Sequence, residues 1–74
     1  MGKDERLINL GQHIRVLRLS KNFTQKQLAY KIDKDQQSIQ RLESGNVNPS
    51  YLYLVSISEG LGIEIEDLVS LDKS

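Results

Sequence analysis

Two short helical segments separated by only two residues constrain the fold of this chain more than any other feature of its sequence. Thr24 begins the first segment, where its hydroxyl can cap the helix, and Gln27, three residues later, completes a capping box. Asp35 is an acidic N-cap for the second segment, which stops at Gly45, the expected place for a C-terminal glycine. Because only residues 33–34 separate the two segments, the sequence predicts two helices that meet at a tight turn.

Three further segments carry apolar residues at helical spacing, and no stretch alternates as a strand would. The first runs through Leu7, Leu10, Ile14 and Leu17 and is broken at residues 20–22. The fourth begins at Pro49–Ser50, ends at Gly60 and Gly62, and has one packing face made of Tyr51, Leu54, Ile57, Ser58 and Leu61. The fifth runs from about Ile65 to Leu71 and carries Leu68 and Val69. The predicted fold class is therefore all-α, a compact bundle of five helices.

The length of 74 residues predicts one domain spanning residues 1–74, with a core at about 7–71 and flexible ends at 1–5 and 72–74. No run is apolar enough to cross a membrane, and the amino terminus lacks the apolar stretch of a secretory signal. The chain has no cysteine, and His13 is its one histidine, expected at the surface. We therefore expect no metal site, no cofactor and no small-molecule substrate, and the absence of catalytic motifs predicts that the protein is not an enzyme.

The charge distribution is uneven although the formal net charge is zero. Residues 1–31 hold seven basic and two acidic side chains, whereas residues 32–74 hold three basic and eight acidic ones. One face of the molecule can thus be basic enough to approach phosphates. Simple solvation of both halves explains the same numbers equally well, so the local motifs have to decide.

The third segment presents amide side chains at its beginning. Glutamine offers a donor beside an acceptor, which matches adenine in the major groove of DNA, and arginine matches guanine or a phosphate. The alternative is that these glutamines are ordinary solvated helix residues. The candidate base-contacting residues are Gln36, Gln37, Ser38, Gln40 and Arg41.

Most of the chain resembles the Xre-type helix-turn-helix family of phage Cro and repressor proteins. The matching runs are LGQHIRVLR (10–18), TQKQLA (24–29), QQSIQRLESG (36–45) and NPSYLYLVSISEGLGIEIEDL (48–68). The resemblance implies a lambda-repressor-like DNA-binding domain whose recognition helix spans about residues 35–44. It makes Gln36 and Gln37 the leading base readers.

The resemblance also implies roles for residues outside the recognition helix. An ion pair between Arg18 and Glu43 would tie the first helix to the third. The resemblance makes Gln25, Ser44 and Asn46 candidate contacts to the DNA backbone. Thr24 and Lys26 are further candidates, and the alternative for Lys26 is an ordinary solvated side chain. Three residues depart from the family pattern: Lys34 replaces an apolar residue of the turn, Asp33 replaces a glycine, and Glu64 replaces a Ser-like cap.

A single helix-turn-helix reads few base pairs, so we expect a homodimer that regulates transcription from a palindromic operator in double-stranded DNA. Some apolar residues are left over by the helical-face count and form the expected dimer interface: Leu52, Val55, Ile63, Ile65 and Leu71. The alternative is that several of them complete the monomer core. Such a regulator would act in the prokaryotic or phage-host cytoplasm, at the nucleoid, by blocking or touching RNA polymerase. The candidate roles are a restriction-modification controller or a phage-type repressor, and the alternative is an antitoxin that also binds a toxin.

Overall fold

The computed structural model describes residues 4–71, and all regular secondary structure within this range is helical. The helices are α1 (Glu5–Ser20), α2 (Gln25–Lys31), α3 (Gln36–Glu43), α4 (Tyr51–Leu61) and α5 (Ile65–Val69). The predicted all-α class with five helices is confirmed. Residues 1–3 and 72–74, predicted to be flexible, lie outside the described residues. Glu5, which was also predicted to belong to the flexible end, is the first residue of α1 and follows Asp4, whose carboxylate accepts a hydrogen bond from the Arg6 backbone amide.

The start of α2 and the turn between α2 and α3 form as their local signals predict. Thr24 and Gln27 form the reciprocal capping box at the start of α2. The backbone nitrogen of Gln27 lies 3.0 Å from Thr24 Oγ1, and the backbone nitrogen of Thr24 lies 2.9 Å from Gln27 Oε1. Asp33 adopts the left-handed conformation, with φ of 61°, which aspartate tolerates in place of glycine. Lys34 places its ammonium 5.2 Å from the centre of the Tyr53 ring. A cation–π contact thus links the turn to α4.

The hydrophobic core draws on all five helices. Its buried members are Ile14 from α1, Leu28 and Ala29 from α2, Ile39 and Leu42 from α3, Ile57 and Leu61 from α4, and Leu68 from α5. Ala29 is only 2 % exposed, and α2 and α3 pack closely together. Because buried residues of α2 and α3 belong to the same cluster, the core holds the two helices against each other.

The carboxyl-terminal helices correct four sequence expectations. Tyr51 is 65 % exposed, because the packed face of α4 begins at Tyr53 and Leu54 instead. Gly60 lies inside α4, where an added Cβ would meet the Ile32 side chain, and the helix ends at Gly62 with φ of 73°. The fifth helix ends at Val69 and not at Leu71, since the backbone is extended from Ser70, and Val69 itself is 44 % exposed.

His13 joins α1 to α5 and is not a plain surface residue. Its side chain is half-buried, and Nε2 lies 2.9 Å from the carbonyl oxygen of Asp67. Because a carbonyl only accepts hydrogen bonds, Nε2 is the donor in this contact. The interaction spans 54 positions of the chain, which is why helical spacing did not predict it.

Asp35 makes the start of α3 sensitive to pH. Hydrogen bonds from the backbone and side chain of Ser38 hold the pKa of Asp35 below its ordinary value of 3.8. The group therefore adds stability that is fully present above pH 3.8 and is lost as the pH falls through the lowered value. Asn also caps helices but does not titrate, so the stability difference between wild type and Asp35→Asn should shrink on acidification. Urea unfolding from neutral to acidic pH measures this, and a difference that stays constant would contradict it.

Candidate nucleic-acid interface

Helix α3 has one buried face and one exposed polar face. Ile39 and Leu42 are at most 1 % exposed and anchor the helix in the core. Residues three and four positions apart share a face of an α-helix, so the intervening positions point the other way. The predicted base readers Gln36, Gln37, Gln40 and Arg41 are all exposed, although Gln36 lies one turn before the buried Ile39.

A shallow polar depression follows α3 into the next loop. It is lined by Gln37, Gln40, Arg41, Ser44 and Asn46. The end of the helix determines the position of Asn46. Its backbone nitrogen donates a hydrogen bond to the carbonyl oxygen of Arg41 over 2.9 Å, and the preceding Gly45 has a left-handed backbone. The structure thus brings three predicted base readers together with two predicted backbone contacts, and the lining offers amides, a hydroxyl and a guanidinium.

Ser38 differs from the other predicted base readers. Its side chain is half-buried, and its amide donates to the Asp35 carboxylate over 2.8 Å. Together with the side-chain contribution to the pKa of Asp35, this ties Ser38 to the cap of α3. A capping role is therefore established by the geometry, whereas its contact with a base stays a prediction.

The side chain of Gln25 connects the amino end of α2 to α3. Gln25 is half-buried and its Nε2 lies 3.0 Å from Glu43 Oε1. Lys26 and Thr24 are exposed, although the Thr24 hydroxyl is already the acceptor of the capping box. No local pattern predicts the contact between Gln25 and Glu43, because the two residues are 18 positions apart.

Arg18 and Glu43 form a buried ion pair between α1 and α3. Arg18 Nε lies 2.6 Å from Glu43 Oε2, and Arg18 Nη2 lies 3.0 Å from Oε1. The side chains are only 6 % and 3 % exposed. Arg18 Nη1 also donates to the carbonyl oxygen of Phe23 over 2.6 Å, so the guanidinium holds the loop before α2 as well.

The residues predicted to form a dimer interface fall into different environments. Leu52 is 73 % exposed, whereas Val55 is half-buried. Ile63 and Ile65 already pack against the core cluster of the monomer. Leu71 is half-buried and lines a depression beside α1. Two of the five thus contribute to the monomer core, and the dimer interface stays a prediction.

Residues 4–71 lack two other kinds of feature. Within that range, no cluster of three or more His, Cys, Asp or Glu side chains could hold a metal ion. No helix in the described part of the chain is long and apolar enough to span a membrane.

Comparison with known proteins identifies the fold family. Residues 14–68 match the Helix-turn-helix family. The chain belongs to this family. It is 38 % identical over 60 residues to control protein C.BamHI of Bacillus amyloliquefaciens, a match that covers 80 % of this chain and 74 % of that protein. The helix-turn-helix is thus both the predicted and the observed centre of the molecule.

Two solved structures resemble the whole helix-turn-helix domain. The restriction-modification controller protein C.AhdI from Aeromonas hydrophila has a TM-score of 0.86 and 29 % identity, covering 88 % of this chain and 98 % of that one. The clp gene regulator ClgR from C. glutamicum has a TM-score of 0.87 and 24 % identity, covering 95 % and 90 %, and supports the fold. The predicted class, a DNA-binding helix-turn-helix regulator of transcription, is confirmed.

Proposed function

We propose that this protein is a controller-type regulator that binds a palindromic operator as a homodimer through α3. The exposed amide and guanidinium face of α3 is the observation that carries the proposal. The likeness to control protein C.BamHI and to C.AhdI favours a controller role over a phage repressor or an antitoxin. Genes for an endonuclease and a methyltransferase beside this one would support it, whereas a neighbouring toxin gene would contradict it.

The dimensions of α3 suit the major groove of B-form DNA. An α-helix with its side chains is about 10–12 Å across, and the major groove is about 12 Å wide. Gln36 and Gln37, in the first turn, would each offer a donor and an acceptor to an adenine edge. Gln40 and Arg41, one turn later, would contact bases or the adjoining phosphates. Ser38, which is half-buried, would contact a base through its hydroxyl.

The proposed backbone contacts flank this helix on two sides. Lys26 supplies an exposed positive charge at the beginning of α2, where Thr24 and Gln25 also lie. Ser44 and Asn46 lie beyond the end of α3, in the depression shared with Arg41. Contacts to phosphates on both sides would fix the register of the recognition helix without reading sequence.

Dimerisation would double the sequence that the protein reads. A dimer with two-fold symmetry binds a palindromic site, because each protein chain reads the same sequence. The two half-sites for such a dimer lie about 10–10.5 base pairs apart. Leu52 is the best exposed of the five proposed interface residues, with Val55 and Leu71 partly accessible and Ile63 and Ile65 contributing their outer edges. A dimer on an operator would regulate transcription by blocking RNA polymerase or by touching it.

The proposal includes no catalytic step. Residues 1–74 would act as a single DNA-binding domain without a cofactor or small-molecule substrate, and the regulator would change transcription by occupancy alone. Because its target is DNA, we place it in the cytoplasm of a prokaryote or phage host, at the nucleoid.

Selection of bound sequences from random duplex DNA tests the proposal directly. We expect an enriched palindrome with two equal half-sites, and analytical ultracentrifugation with that duplex should give two protein chains per site. Affinity should fall as salt rises, since phosphate contacts release counterions. Equal affinity for every duplex would contradict the proposal.

Gln37→Ala should weaken binding to the best site by about 1–3 kcal/mol and relax the base preference at one position of each half-site. The reason is that a bidentate amide contact to one base is lost while the phosphate contacts remain. Fluorescence anisotropy with a set of single-base operator variants measures both effects. Gln12→Ala, which removes an exposed amide from α1, is the matched control and should change neither. If Gln37→Ala leaves affinity and preference intact, this residue is not a base reader.

A further inference from the structure

The carboxylate of Glu43 joins three helices at the carboxyl end of α3. It accepts two hydrogen bonds from Arg18 of α1, and its Oε1 accepts a third from Gln25 Nε2 at the beginning of α2, over 3.0 Å. Glu43 is only 7 % exposed, whereas Gln25 is half-buried. The last residue of α3 is therefore linked directly to a partly exposed residue of another helix.

The chemistry of this contact fixes the orientation of the Gln25 amide. An ionised carboxylate only accepts hydrogen bonds, so the NH₂ group of Gln25 must face Glu43 and its amide oxygen must face away. An amide NH₂ carries two hydrogens, and one of them forms the hydrogen bond with Glu43. The second hydrogen can donate to another acceptor while the first contact is kept.

We propose that Glu43 is a positioning residue that holds Gln25 in the orientation for a DNA phosphate contact. The inference rests on the proposed function, in which Gln25 touches the DNA backbone. Because Glu43 belongs to α3, the phosphate contact made by α2 is fixed in register with the bases read by α3. The ion pair with Arg18 in turn holds the Glu43 carboxylate in place. Helices α1, α2 and α3 therefore present Gln25 and the outer side chains of α3 to DNA as one rigid unit.

A double-mutant cycle on operator affinity tests the coupling between the two residues. The variants are Gln25→Ala, Glu43→Gln and the combination, measured by fluorescence anisotropy with the selected operator. We expect Glu43→Gln to weaken binding roughly three- to tenfold in the wild type and to have little further effect once Gln25 is alanine. Equal loss from Glu43→Gln in both backgrounds would mean a purely structural role and would overturn the inference.

A second set of variants keeps the ion pair intact. Gln25→Lys still donates both to Glu43 and to a phosphate, so it should retain affinity and steepen the dependence of log K on log salt by about one. Gln25→Glu can only accept and faces both carboxylate and phosphate, so it should bind more weakly than Gln25→Met. If Gln25→Glu binds as well as Gln25→Met and Gln25→Lys leaves the salt slope unchanged, Gln25 does not lie against a phosphate and the inference fails.

Folding must be separated from positioning, because Glu43 is buried. Circular dichroism at the assay temperature checks each variant, and the double variant Arg18→Met with Glu43→Leu replaces the ion pair by apolar residues if Glu43→Gln does not fold. That double variant should show the same loss of coupling to Gln25. If the wild type itself prefers no sequence, the proposed function fails, which differs from sequence-specific binding without coupling between these residues.

Discussion

Arg18→Met is expected to lower the free energy of unfolding by about 3–5 kcal/mol, because it leaves the Glu43 carboxylate buried without its charge partner. The Glu43 side chain is only 3 % exposed, so water cannot replace the guanidinium. The substitution also removes the donor to the Phe23 carbonyl oxygen. Single domains have about 5–15 kcal/mol of stability in total, so much of the reserve is lost. Urea unfolding followed by circular dichroism measures the change.

The double variant Arg18→Met with Glu43→Leu is the matched control for this prediction. Replacing a whole buried ion pair by apolar residues of similar volume is often close to neutral for stability. We therefore expect the second substitution to restore most of what the first one costs. A single Arg18→Met variant as stable as the wild type would show that Glu43 is accessible to water, contrary to the structure.

Features set by neighbouring residues could be predicted from the sequence. The capping box of Thr24 and Gln27, the Asp35 cap and the Gly62 helix end all depend on residues within one turn of each other. Asp33 was recognised as a residue that tolerates a left-handed backbone, and it has that conformation. Because such signals act locally, the five helices and the tight turn followed from them with errors of only a few residues.

Contacts between distant segments could not be predicted in this way. Gln25 and Glu43 are 18 positions apart, and His13 and Asp67 are 54 apart. Nothing in either local sequence marks these pairs, since their meeting depends on how the helices pack. The exposure of Tyr51 has a related reason, because helical spacing identifies a face but not how far along the helix that face is covered.

The candidate interface divides along the same line. Exposed amides on the outer face of α3 follow from its helical period, which places Ile39 and Leu42 inward. The engagement of Ser38 in the cap and of Gln25 with Glu43 required the three-dimensional structure. The sequence therefore predicted which residues line the surface, but not which of them already have partners within the protein.

Gly11→Ala is expected to destabilise the protein by about 1–3 kcal/mol, although alanine is the better helix former by roughly 0.5–1 kcal/mol. A methyl group at this position of α1 would lie 2.5 Å from the carbonyl oxygen of Leu42 and 2.6 Å from that of Glu43. Both atoms belong to the backbone of α3, so no side-chain rotation relieves the overlap. Helix α1 and the end of α3 must therefore move apart, and thermal unfolding should report the loss.

Gly60→Ala is the matched control, because Gly60 is also a buried glycine inside a helix. There the added Cβ would meet side-chain atoms of Ile32, at 2.5 Å, and Leu28, at 3.2 Å. Side chains repack more readily than backbone, so Gly60→Ala should cost less than Gly11→Ala. Moving the end of α3 also disturbs the carboxylate that holds Gln25, so Gly11→Ala should weaken operator binding even where the variant remains folded, and Gly60→Ala should not. If both variants lose stability equally and bind the operator equally well, the close approach of α1 to α3 does not position Glu43 and Gln25 for DNA binding.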